Sequence, residues 1–414
     1  YNPRIYYGQL GPSYSIVGGP SGSKPHEFDR PAATGSGQVD NTHTGGGGIP
    51  ISSLLNRLVY SIKLGDPSIL FSSGINHDSQ LLTVRNPTAR VAAVAPWLTL
   101  DGDAYPVASG GHVLWVVDGY TSTNKYPYSQ QVNLRSATRT TYVTNGSTSA
   151  QPNTSVNYLR NSVKATVDAN TGQVHLYAWN QATQPDPLLR MWERAFPGLV
   201  EPQHAIPAAL LPHLRYPQDL FNVQRGLLAK YHVTDPRQFY SGSDFWKVPA
   251  DPTTGPTPTS GPAIPSTYMT LSPDGRKPAT FALSTPMATL DRRNLAAFIS
   301  VDSQPGPGYG KITVLQFPTN RTVEGPAQVQ QTVESDPRIA RRFALLRTQH
   351  SRVVLGNLLT LPVGGGVMYV EPIYTRGRGA GAFAVQKRVI VRYNGRFGYR
   401  STLRGALDQA LGRP

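Results

Sequence analysis

No cysteine occurs among the 414 residues of this chain, which rules out disulfide scaffolds and thiolate metal sites. The lack fits a protein that works outside the cytosol without excluding one inside it. Long apolar runs are missing as well: VLWVV at 113–117 and RVIVRY at 388–393 fall far short of the roughly 18 to 20 residues a helix needs to cross a bilayer. Acidic side chains are scarce, with 24 Asp and Glu against 39 Lys and Arg, for a net charge of +15. That balance predicts either attraction to anionic surfaces such as lipid headgroups and wall polymers or a solubilising excess. The sequence opens at Tyr1 without a Met or an apolar leader, which predicts an excised or processed piece.

What is present predicts a mixed α+β fold. A hydrophobic share of 39% suffices for two or three cores, while 40 Gly and 37 Pro call for many short elements joined by turns. Apolar residues at Leu54, Leu55, Leu58, Val59 and Ile62 recur at helical spacing before Gly65 stops the run. Strands are expected at Arg90–Val94 and His112–Val117, and His77-Asp78 reads as the start of a helix. VKATVDANTGQVHLYAW at 163–179 is a hairpin by its alternation about Asn170-Thr171-Gly172. Helices follow in PDPLLRMWERAF and YPQDLFNVQRGLLAKYHV, and a closing strand, Asn394-Gly395 turn, strand and helix end the chain. PADPTTGPTPTSGPAIP predicts a division into an N-terminal lobe over 1–248, a linker or loop over 249–265 and a C-terminal lobe over 266–414.

Familiar catalytic and ligand-binding patterns are missing. There is no Gly-x-Ser-x-Gly elbow, and Ser21-Gly-Ser-Lys24 lies among Gly and Pro rather than on a helix. Gly45 to Gly48 is not followed by Lys-Ser or Lys-Thr, and Gly377-Arg-Gly379-Ala-Gly381 does not open a helix, so no phosphate loop is formed. The nine His residues show no paired helical spacing, and Asp101-Gly-Asp103 lacks the further ligands of a calcium loop. The expectation is no metal, no cofactor and no specific nucleic-acid partner.

Two segments remain as candidate binding sites. DGYTSTNKYPYSQ at 118–130 brings Tyr120, Lys125, Tyr126 and Tyr128 together, and aromatic faces beside a cation suit sugars and anionic headgroups. The other reading of the same stretch is architectural, with Pro127 and the Tyr side chains pinning a crossover under the sheet. From Arg376 to Arg413, nine basic residues stand against Asp408 alone. Arg388 and Arg392 alternate with Val389 and Val391, which predicts a shared solvent face, and Arg396 follows after the turn. This face is either polyanion-binding or a strand edge guarded by charge.

In order, the stretches FSSGINHDSQLLTVRNPTARVAAVAPWLTLDGDAYPV, LWVVDGYTSTNKYPYSQ, NYLRNSVKATVDANTGQVHLYAW, HLRYPQDLFNVQ, YHVTDPRQFY and DFWKVP resemble the uncharacterised protein family UPF0182 of bacterial multispanning membrane proteins. RVVLGNLLTLPVGGGVMYVEPIY extends the resemblance over nearly the whole chain. The resemblance implies several membrane helices upstream of one large region on the extracytoplasmic side of the plasma membrane, with those spans outside the present sequence. It implies no particular activity. The expectation is a binding or scaffolding module at the cell envelope whose partners are the membrane and an anionic lipid or wall polymer; the alternative is an envelope hydrolase or transferase acting with the spans.

Overall fold

A computed structural model describes residues 2–20, 22–34, 36–141, 149–255, 257–272, 278–348, 350–379 and 381–413. The expected α+β class is what it shows, and every strand pair whose register is described is antiparallel. In chain order the first elements are β1 (Tyr14–Val17), β2 (Glu27–Pro31), β3 (Gln38–Asn41), β4 (Ile49–Pro50), α1 (Leu54–Leu64), α2 (Ser68–Phe71), β5 (Gln80–Thr83) and α3 (Pro87–Val94). Then come β6 (Thr99–Leu100), β7 (Tyr105–Ser109), β8 (His112–Thr123), β9 (Val132–Asn133), α4 (Leu134–Thr138), β10 (Ser155–Val156), β11 (Tyr158–Asp168), β12 (Val174–Ala178) and α5 (Pro187–Ala195).

The chain divides into two compact units, one mainly of Tyr1–Gln131 and Ser155–His213, the other mainly of Leu214–Pro414 with α4. The division falls near residue 214 rather than at the Pro/Thr/Gly-rich stretch. Residues 249–265 lie inside the second unit, where Ala250 bridges Ala263 and Asp251 is buried at the base of the loop.

In the first unit, β12, β11, β8 and β6 form the main sheet, with β7 also on β8. The hairpin register is Val163↔Ala178, Ala165↔Leu176 and Val167↔Val174, as the alternation predicts. Those side chains pack with Trp115 and Val117 of β8, Val91 of α3 and Leu189 of α5 into one core. Arg90–Val94, read as a strand, is helical because Asn86 caps Ala89 N and Pro87 opens the first turn. Residues 80–83, expected to be helical after Asp78, form β5. Pairing with β1 and β4 buries Leu81 and Leu82, a contact set by residues far away in sequence.

The second unit adds α6 (Gln218–Tyr231), α7 (Pro236–Ser241), β13 (Trp246–Lys247), β14 (Thr267–Leu271), β15 (Thr280–Thr289), β16 (Leu295–Asp302), β17 (Ile312–Gln316), α8 (Pro326–Ser335) and α9 (Pro337–Leu346). It ends with β18 (Ser351–Leu355), β19 (Leu359–Val363), β20 (Gly366–Gly377), β21 (Ala384–Tyr393), β22 (Arg396–Arg400) and α10 (Leu403–Leu411). One sheet is ordered β13-β15-β16-β17, the other β18-β20-β21-β22. Side chains of α8 and α9, including Val329, Val333, Ile339 and Phe343, pack on one face of the second sheet. Ala406 and Ala410 of α10 pack on the other, against Val389 and Val391. The approach is close at Gly398, where a Cβ would stand 1.7 Å from the Ala406 carbonyl oxygen. Only glycine fits there.

Helix α6 buries polar side chains beside its apolar ones. Asp219 accepts from Thr141 Oγ1 at 2.5 Å and Gln151 Nε2 at 2.5 Å, and Asn222 Nδ2 donates to Thr141 at 2.9 Å. Arg225 donates to Thr285 at 3.0 Å and to Thr140 at 2.8 Å, and full burial pushes its guanidinium down to about 10. The PQDLFNVQ motif is thus an internal clamp.

Candidate functional site

Strand β8 carries the first half of DGYTSTNKYPYSQ, and its polar side chains are used for architecture. Asp118 pairs with Lys164 of β11 and accepts from Asn161 Nδ2 at 3.0 Å. Tyr120, 1% exposed, donates to Asp101. Thr121 donates to Asp186, the N-cap of α5, which also accepts from Ser162 at 2.5 Å and Tyr158 at 2.7 Å. Burial pushes the Asp186 carboxyl up, but hydrogen bonds from Ser162, Thr121, Tyr158 and Leu188 N outweigh it and hold the group below the usual range. Burial and Asp186 together push the Tyr158 hydroxyl up to about 12.

The second half is a surface loop. Asn157 holds it through Tyr126 N at 3.0 Å and Tyr126 O at 2.7 Å, and the Tyr126 ring stacks on Tyr158 at 5.7 Å. Lys125, Tyr126 and Tyr128 are exposed, Tyr128 with a φ of 54°. The structure therefore separates the four residues: Tyr120 lies in the core, the other three at the surface.

The basic residues of the C-terminal strands are also parted. Arg392 is not on a solvent face. The side of β21 bearing Arg388, Ile390 and Arg392 faces α8 and α9, and the Val389 and Val391 side faces α10, so both are covered. Arg392 lies over the Phe397 ring and makes a two-pronged pair with Glu324, Nε to Oε2 at 2.9 Å and Nη2 to Oε1 at 2.8 Å. Arg396 is exposed near Gly412.

Arg388 stands elsewhere, at the rim of a shallow concavity of about 370 Å³ lined by Arg342, Leu345, Leu346, Arg388, Tyr399, Arg400 and Ser401. The Tyr399 carbonyl accepts from Arg342 Nη1 at 3.5 Å and Arg400 Nη1 at 3.3 Å, and Arg342 also lies 4.9 Å over the Tyr399 ring. Burial raises the Tyr399 hydroxyl, and the charges of Arg388 and Arg342 pull it back. No carboxylate lines the concavity, and among the described residues none of the three arginines forms an ion pair. Arg388 Nη1 donates to the Lys387 carbonyl at 2.7 Å, and all three guanidiniums line the one concavity with donors to spare, a lining that suits a phosphate or carboxylate. Sequence reasoning missed Arg342, which lies far upstream on α9. The signal was Ile339 and Phe343, whose one-turn spacing fixes the buried side of that helix.

A larger cleft of about 750 Å³ in the second unit carries Asp244, Asp291, Arg292 and Arg321, with His232 stacked on Trp246 at 3.4 Å. Its charges are of both signs. Asp101 and Asp103 are buried, with Asp101 taking the Tyr120 hydroxyl, and no group of three or more His, Asp or Glu among the described residues is placed to hold a metal.

These features define a mixed α+β protein with a cationic surface concavity and no helix among the described residues long and apolar enough to span a bilayer. The chain belongs to the Uncharacterised protein family (UPF0182), whose model matches residues 1–346. It is similar to a UPF0182 protein of Paenarthrobacter aurescens, 45% identical over 425 residues, covering 100% of this chain and 42% of the relative. A UPF0182 protein of Streptomyces coelicolor is 45% identical over 416 residues, with 100% and 40% covered, and one of Bifidobacterium longum is 43% identical over 424 residues, with 100% and 39% covered. The chain thus spans about two fifths of the length of these relatives. No solved structure matches it.

Proposed function

We propose that this chain is a binding or scaffolding region of a membrane-tethered protein, on the extracytoplasmic side of the plasma membrane, and that it takes a phosphodiester anion at Arg342, Arg388 and Arg400. The observation that carries the reading is that Arg342 and Arg400 both donate to the Tyr399 carbonyl and Arg388 lines the same concavity, without a carboxylate in the lining. Exposed Leu345 at the rim suits a ligand with an apolar portion. The net charge of +15 draws such a ligand in at long range. Phosphodiester chemistry is shared by anionic lipid headgroups and by polyol-phosphate wall polymers. The alternative, an envelope enzyme, would place its acid or base in the cleft of Asp244 and Asp291, because the arginine concavity offers neither.

The test compares Arg342→Gln/Arg388→Gln/Arg400→Gln with Arg30→Gln/Arg135→Gln/Arg237→Gln, which removes the same charge elsewhere. Binding is measured to phosphatidylglycerol vesicles and, separately, to a soluble polyglycerol phosphate. A loss of tenfold or more confined to the first variant is expected, and the two ligands decide which source is preferred. Equal losses in both variants would show that only net charge matters and would sink the assigned site.

A further inference from the structure

Helix α1 is built inside out. Its inward side is largely polar: Ser61 is buried with its hydroxyl on the Asp66 carbonyl at 2.9 Å, Arg57 donates to the carbonyls of Ile51 at 3.1 Å and Ile75 at 2.9 Å, and only Tyr60 and Leu64 pack on the core of Ile51, Ile69 and Leu81. The aliphatic stripe points the other way. Leu54, Leu55, Leu58, Val59 and Ile62 are between 44% and 74% exposed, and Phe71 of the adjoining α2 is 80% exposed. Single exposed apolar residues are ordinary, but a contiguous row marks a surface that something covers.

We infer that the α1–α2 face lies in the headgroup and upper acyl layer of a lipid bilayer, with α1 parallel to the membrane plane. Three features select lipid over protein. The exposed apolar set is five side chains along a helix of about 16 Å with Phe71 of α2 beside them, whereas each partner in a stable protein interface brings about 20 to 30 residues. The stripe is aliphatic with one Phe, lacking the Tyr, Trp and Arg anchors that dominate protein interfaces. Charge agrees as well: α1 exposes Lys63 and contains no acidic residue, which matches an anionic headgroup layer. The anchoring of Arg57 and Ser61 fixes the helix on its own unit, so the apolar stripe is presented without refolding.

The experiment uses the 414-residue chain and vesicles of phosphatidylcholine with phosphatidylglycerol, in 0.5 M salt so that contacts of exposed arginines are screened. Sedimentation with vesicles is expected to persist, and Leu58→Gln/Ile62→Gln is expected to reduce it tenfold or more with circular dichroism unchanged. As a gain of signal, the extra emission of Ile62→Trp over the parent chain should shift to the blue on adding vesicles and be quenched by lipids brominated near the headgroup. Vesicle binding in high salt that ignores Leu58→Gln/Ile62→Gln overturns the inference, as does an added emission from the Ile62→Trp variant that stays that of an indole in water. So does a dimer seen by sedimentation velocity and abolished by the same pair of Gln substitutions, which would make a second copy the occupant.

Discussion

Lys164 Nζ rests against the Asp118 carboxylate between the two central strands of the first unit, with both side chains cut off from water. The Lys164 ammonium also lies 5.3 Å over the Trp179 ring. Removing one member leaves the other as a buried charge with its main counter-charge gone. Lys164→Met is expected to destabilise the first unit by about 3–5 kcal/mol, and Lys164→Met/Asp118→Leu by clearly less, because the double change removes both charges. Urea titrations of the two variants and the parent check this. A double variant no more stable than the single one would show that the pair's contribution is packing rather than charge.

The same strand predicts a contrast within one motif. Tyr120 donates to Asp101 from the core, while Tyr128 is exposed on the following loop. Tyr120→Phe should cost about 1–3 kcal/mol, since it deprives a buried carboxylate of a donor. Tyr128→Ser should change stability by less than about 0.5 kcal/mol. Thermal melts of both proteins suffice, and a larger loss for Tyr128→Ser would refute the division of the motif into a structural and a surface half.

These contrasts show what was legible in the sequence. Local signals carried well: the 163–178 hairpin, the Gly65 stop of α1 and the closing strand-turn-strand-helix all depend on neighbours within one element or turn. The direction a face points depends on what packs there, and that was hidden. The apolar spacing of Leu54 to Ile62 correctly marks a helix, yet the stripe it defines is the exposed one. Arg388 and Arg392 do share a strand side, but α8 and α9 cover that side, leaving Arg392 paired to Glu324 and Arg388 at the rim. The partners of Asp186 and Asp219 come from scattered positions, so motifs that suggest binding proved to be internal clamps.

Gly398 makes a steric prediction. Gly398→Ala would drive its Cβ into the Ala406 carbonyl, backbone that cannot step aside without moving α10 off the sheet. A loss of about 1–3 kcal/mol is expected, with α10 amides losing protection first in hydrogen exchange. Uniform protection across α10 would mean that the helix accommodates the methyl group.

The last prediction concerns a carboxyl inside the second unit. Glu371 of β20 is fully buried, and neither of its oxygens meets a hydrogen-bond donor among the described residues. Burial, together with the negative charges of Glu334 and Asp251, pushes it from an ordinary 4.5 up to about 8. The folded chain therefore keeps this proton through a range in which the unfolded chain has released it. Between pH 4.5 and about 8 the folded state binds one more proton, so stability falls as pH rises, by at most about 1.4 kcal/mol per pH unit from this group. Below that window both states are protonated and above it both are ionised, so the dependence vanishes at either end. Glu371→Gln keeps the shape and carries no titrating proton. It should remove this slope and raise stability near pH 7 by on the order of 3 kcal/mol. Urea midpoints of parent and variant at half-unit steps from about pH 5 to about pH 9 are the measurement, spanning the window between the two protonation limits. Parallel curves would show that Glu371 is ionised in the folded chain and that a donor reaches it.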